Sequence, residues 1–107
     1  MIKQIAVMHR NPKMTREEFY RHWKDVHGPM AVKYLPGMRK YVQNHLITVP
    51  GMEYEGDGIV EMWYDDIEAW RNSMEAVRSS KELAEDGAKF CDLRNASVWI
   101  VEEHVIK

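Results

Sequence analysis

Residues 15–45 read TREEFYRHWKDVHGPMAVKYLPGMRKYVQNH, which parses as a helix, a Leu-Pro-Gly turn and a strand. Thr15 and Glu18 form a capping box, and Glu17 and Glu18 place negative charge at the positive end of the helix dipole. Phe19, Trp23 and His27 recur every fourth residue, with Val26 and Met30 alongside, so they share one apolar stripe. Gly28-Pro29 interrupts the stripe. Proline disfavours a helical residue before it, which predicts a kink or break there and a further turn to Tyr34. Pro36-Gly37 makes the turn, and residues 39–47 alternate as a strand. Tyr41, Gln43 and His45 lie on one face of it, and Val42, Asn44 and Leu46 on the other.

Working outward, residues 2–9 form a strand closed by Arg10-Asn11-Pro12. Residues 48–57 hold a proline and two glycines and read as a long hairpin loop. Residues 58–64 form a third strand, apolar on both faces apart from Glu61. Asp65 or Asp66 caps a second long helix with Ile67, Trp70, Met74 and Val77 inward. Ser79-Ser80 breaks or bends it, a short helix over 81–91 turns Leu83, Ala84, Phe90 and Cys91 inward, and residues 96–106 form the last strand. The order β-α-β-β-α-β predicts an α+β, ferredoxin-like domain spanning residues 1–107. Val42, Leu46, Val60, Met62, Val98 and Ile100 need cover on more than one face of the sheet. Two helices protect one face, so a homodimer with sheets packed face to face is expected.

Composition narrows the function. Lys plus Arg is 15 against 17 for Asp plus Glu, and no basic block occurs, which argues against nucleic acid as a partner. No run approaches a membrane span or a signal peptide, and one cysteine excludes an internal disulfide framework, so a cytoplasmic location is expected. GxGxxG, P-loop, HExxH and nucleophile-elbow motifs are absent, so no cofactor or metal is expected. Eight methionines and four tryptophans suit an apolar pocket of irregular shape.

His27 and Tyr41 are the candidate catalytic pair. An imidazole on an apolar stripe, next to a glycine-proline break, is either a satisfied core residue or a general base facing a pocket. A strand tyrosine is either packing or a phenol that donates to a developing oxyanion. Gln43 and His45 share its face, and with Trp23, Glu61 and Trp63 they are the candidate substrate-binding residues. Arg39 or Lys40 is the expected partner of Glu61, the other reading being an acid of raised pKa in the pocket. His22 lies ~140° from His27 on an α-helix and cannot join it on one metal. Cys91 reads as a structural thiol. Met52 and Tyr54 border the expected cleft mouth.

The run EEFYRHWKDVHGPMAVKYLPGMRKYVQNH, followed by GIVEMWYDDIEAW, resembles the EthD family of small dimeric α+β barrel proteins and, distantly, methylmuconolactone methylisomerase. The resemblance spans the chain and is most specific over residues 17–45. It implies the ferredoxin-like fold and the face-to-face dimer. A helix histidine and a tyrosine after the Pro-Gly turn match His27 and Tyr41. The chemistry implied is cofactor-independent proton transfer on a cyclic, lactone or aromatic substrate, of isomerase, dehydratase or decarboxylase type, in aromatic or xenobiotic catabolism. The alternatives are an EthD-type oxidoreductase or monooxygenase-like protein, with or without a haem, and a non-catalytic small-ligand binder.

Overall fold

The computed structural model describes residues 1–107. Four strands form one antiparallel sheet: β1 (Ile2–Met8), β2 (Lys40–His45), β3 (Gly58–Tyr64) and β4 (Ser97–Glu102), in the order β2-β3-β1-β4. The helices are α1 (Arg16–His22), α2 (Gly28–Tyr34), α3 (Ile67–Ser79) and α4 (Lys81–Phe90). This is the α+β, ferredoxin-like arrangement expected from the sequence. No helix is long and apolar enough to cross a membrane.

The local signals act as read. Thr15 and Glu18 form the reciprocal capping box, and Asp66 rather than Asp65 caps α3 by accepting the Ala69 N–H. Asp65 pairs with Arg39 instead. Gly37 turns the chain with φ +75°, a conformation that favours glycine.

The main departure lies between α1 and α2. The chain does not break at Gly28, which stays helical at φ −56° and ψ −52°. Instead Trp23–His27 forms one π-helical turn, and the Gly28 N–H donates to the Trp23 carbonyl five residues back. Pro29 has no N–H to give the preceding turn, and its ring crowds the carbonyl four residues earlier. A wider turn just upstream absorbs that misfit. The consequence is geometric: i→i+5 bonding brings residues five apart onto one side.

Cross-strand register sorts the sheet into two faces. Val60, Met62 and Tyr64 of β3 face the helices with Gln4 and Ala6 of β1, and all five are buried. Fully buried Phe19, Trp23 and Phe90 pack over them. The opposite face carries Lys3, Ile5 and Val7, opposed by Trp63, Glu61 and Ile59. The third strand is therefore apolar on both faces apart from Glu61, as expected, but its burial alternates, with Ile59 and Trp63 only half-buried on the outer face. Val98 and Ile100, expected to be covered, are 52% and 36% exposed on the edge strand β4.

Candidate active site

A cavity of about 370 Å³ lies between the helices and the sheet. Twelve of its fifteen lining residues are hydrophobic, and none carries a permanent charge. Its polar side chains are His27, Tyr41 and Gln4, with the Trp23 indole also in the wall.

His27 reaches the cavity from the end of the π-helical turn. Its Nδ1 lies 2.9 Å from Oδ2 of Asp86 on α4. The same carboxylate takes Nε2 of His22 at 2.9 and 3.0 Å. A carboxylate only accepts, so both imidazoles donate to it, and a neutral His27 then carries its lone pair on Nε2. That atom has no protein partner. Burial holds the His27 pKa below its ordinary 6.5, against the opposing pull of Asp86, so the ring is neutral at pH 7. Burial pushes Asp86 up, but its hydrogen bonds from His27 and His22 outweigh this and hold it below the usual carboxylate range. The sequence reading set His22 and His27 apart because it assumed an α-helical period; the π turn brings both onto one acid. No cluster of three His, Cys, Asp or Glu side chains has the spacing of a metal site.

Tyr41 reaches the cavity from β2. Its hydroxyl oxygen accepts the Trp23 indole N–H at 3.1 Å and the Gln43 amide at 3.2 Å. With both bonds spent on the oxygen, the phenolic hydrogen is left for whatever occupies the cavity. Burial raises the Tyr41 pKa, and the two donated bonds only partly offset it, so the phenol stays a donor near neutral pH.

Gln43 and His45 share the face of Tyr41 but do not line the cavity. The Gln43 amide also donates to the Trp23 carbonyl at 2.8 Å, inside the π turn, and its Oε1 meets His45 Nε2 at 2.9 Å. The His45 ring stacks on Trp23 and Tyr20 with centroids 5.0 and 4.4 Å apart. The structure places both expected substrate-binding side chains beside the Trp23 and Tyr20 rings, where they brace Trp23 and Tyr41. Gly28 permits this. A Cβ there would sit 2.6 Å from the Gln43 amide nitrogen and 3.0 Å from the Trp23 carbonyl. Gly28→Ala is expected to lower stability by about 1–2 kcal/mol, because crowding and two strained hydrogen bonds exceed the ~1 kcal/mol that alanine gains in a helix. Urea denaturation measures this, and an unchanged or raised midpoint would refute it.

Glu61 and Trp63, the other two expected substrate-binding residues off the cavity, lie on the opposite face of the sheet. The period-2 alternation of β3 puts Val60 and Met62 toward the helices and these two away. Glu61 pairs with Lys3 at 2.8 Å rather than with Arg39 or Lys40, and accepts from Asn44 at 3.0 Å. The Lys3 ammonium holds Glu61 below the usual carboxylate range, the reverse of a raised-pKa acid. Lys3 and Lys40 both sit over the Trp63 ring. Tyr54 bonds the Ile47 carbonyl at 2.7 Å, and neither it nor Met52 lines the cavity. Burial pushes the Cys91 thiol up to about 12, which makes it inert.

Asp86 and His22 are the residues the sequence reading missed. Leu83, Asp86 and Phe90 are the buried residues of α4. Their spacing of i, i+3, i+7 puts an acid on an apolar stripe, which was the available signal.

The EthD domain model matches residues 11–94. The chain belongs to the EthD family. It is similar in structure to an EthD family protein of Bacillus halodurans C-125, with 25% identity, 97% of this chain and 99% of that chain covered, and a TM-score of 0.73. A dimeric protein of unknown function and ferredoxin-like fold from Bacteroides fragilis is 15% identical, with 95% of each chain covered and a TM-score of 0.62. SnoaB, a cofactor-independent oxygenase from Streptomyces nogalater, is 6% identical, with 97% of this chain and 93% of that chain covered and a TM-score of 0.59. The last two likenesses show the fold alone. No curated protein matches by sequence.

Proposed function

We propose that this EthD-family protein is a cofactor-independent enzyme that moves a proton on a small cyclic, lactone or aromatic substrate bearing a carbonyl. The observation that carries this reading is one apolar cavity holding a free imidazole lone pair and a free phenolic hydrogen, each fixed from behind. Nε2 of His27 removes a proton from the carbon beside the carbonyl. Tyr41 donates to the oxygen as it takes up charge. Asp86 holds the ring in the required tautomer and stabilises the imidazolium that forms. His27 then returns the proton to another carbon, which isomerises the substrate, or gives it to a β-hydroxyl that departs as water when the enolate collapses, which gives dehydration. Trp23 and Met62 supply flat and adaptable walls for a ring.

A homodimer through the outer sheet face fits this reading. Ile5, Val7, Ile59 and Val101 are only half-buried there, Trp99 is 51% exposed, and the similar Bacteroides fragilis protein is dimeric. A cytoplasmic setting is in keeping with the single unpaired Cys91.

The experiment is exchange of the α-protons of cyclic ketones and lactones in D2O, followed by NMR. Wild type is expected to accelerate exchange of the ligands it binds. Tyr41→Phe removes the donor to the oxyanion and is expected to lower that rate about 10²–10³-fold. Ligands that bind yet exchange at the uncatalysed rate would leave a small-ligand binding protein and sink the enzymatic reading.

A further inference from the structure

Gln4 enters the same cavity from β1 and is 7% exposed. Its Oε1 accepts the Trp70 indole N–H at 2.7 Å. An indole nitrogen can only donate, so this bond fixes which end of the carboxamide is oxygen. Nε2, with its two N–H groups, points away from Trp70 and meets no protein acceptor. No buried side-chain polar atom is sealed off without a partner. Nε2 therefore keeps open space beside it, and the space that Gln4 borders is the cavity.

Strand register places this donor. Tyr41 pairs with Met62 across β2 and β3, and Met62 pairs with Gln4 across β3 and β1. The three form one row on the helix-facing side, a donor at each end and an apolar floor between. Two strand spacings separate the ends, roughly 9–10 Å at the backbone. Within this row no cation is present, and none lines the rest of the cavity. A carboxylate brought here would lose its water without gaining a charged partner.

We propose that Gln4 is a specificity-determining residue: its carboxamide binds a second oxygen of an uncharged cyclic ligand whose first oxygen lies on Tyr41. This rests on the reading of Tyr41 as the donor to the reacting carbonyl. The cavity thereby selects neutral molecules carrying two oxygens on opposite sides of a ring system and rejects their carboxylated counterparts.

Three matched probes test it by calorimetric affinity: 1-tetralone, 4-hydroxy-1-tetralone, and 4-oxo-1,2,3,4-tetrahydronaphthalene-1-carboxylate. Wild type is expected to prefer the hydroxyketone roughly tenfold over each of the others, the yield of one added hydrogen bond. Gln4→Met removes the donors and is expected to abolish the preference over 1-tetralone. Gln4→Leu also removes the donors, and the melting temperature and 1-tetralone affinity of both variants separate ligand recognition from any loss of folding. Equal binding of the two ketones by wild type, a preference that survives both variants, tightest binding of the carboxylate, or binding of none of the probes would overturn the assignment. Affinity and α-proton exchange are read separately. Discrimination without exchange would sink the catalytic reading and keep Gln4, whereas exchange without discrimination would do the opposite.

Discussion

Replacing His27 with alanine is expected to lower α-proton exchange about 10²–10⁴-fold, the usual contribution of a general base, while ligand affinity changes little. The affinity survives because apolar walls supply most of the contact, and His27 contributes one ring edge among fifteen lining residues. Asp86→Asn is the sharper variant, since it leaves the imidazole in place. Asp86 acts through His27 and is a positioning residue. Its loss removes the carboxylate that fixes the tautomer and favours the imidazolium, so the rate falls without the ring leaving the cavity.

The pH dependence carries the sign. Only neutral His27 can accept the proton, so the rate rises with pH through the His27 pKa, which burial has pulled below 6.5. Asp86 pulls that pKa upward, so the Asn variant is expected to shift the acid limb to still lower pH. A limb that stays put, or moves up, would show that Asp86 does not act through His27. The same depression makes the fold lose stability as pH falls below 6.5, because the unfolded chain then binds a proton that the buried ring does not.

Trp23→Ala is expected to cost about 3–5 kcal/mol, a large share of the stability of a domain of this size. Trp23 is fully buried, and its ring lies against His45 at 5.0 Å and Phe19 at 5.7 Å. Gly58 makes room for it: a Cβ there would meet the indole at 2.7 Å. Truncation leaves a void and also takes from Tyr41 the indole N–H that orients its hydroxyl. A fall in melting temperature on the order of 15 °C follows. Thermal unfolding at fixed protein concentration checks it, and a change under about 1 kcal/mol would mean that the core does not depend on this side chain.

Much of the architecture could be read from local signals. The capping box at Thr15, the acidic cap before Ile67, the Pro36-Gly37 turn and the period-2 strands each act within a few residues, where sequence is most informative. The placement of His27 and Tyr41 on one cavity also followed from a helix stripe facing a strand row. The π turn did not, because the 3.6-residue period hides it, and with it went the convergence of His22 and His27. Asp86 is 59 residues from His27 and 64 from His22, and Gln4 is 66 from Trp70. No periodicity links groups so far apart. Glu61 and Trp63 were misplaced for a different reason: an apolar strand interrupted by one acid does not show which face the acid takes until Lys3 is seen beside it.

The proposed chemistry turns on the state of one ring. Two-dimensional NMR of the ring nitrogens of 15N-labelled protein reads the tautomer and charge of His27 directly. At pH 7 the expected result is a neutral imidazole with its proton on Nδ1 and a bare Nε2, with a titration midpoint below 6.5. An Nε2–H tautomer, or an imidazolium persisting at pH 7, would leave no base facing the cavity and would contradict it.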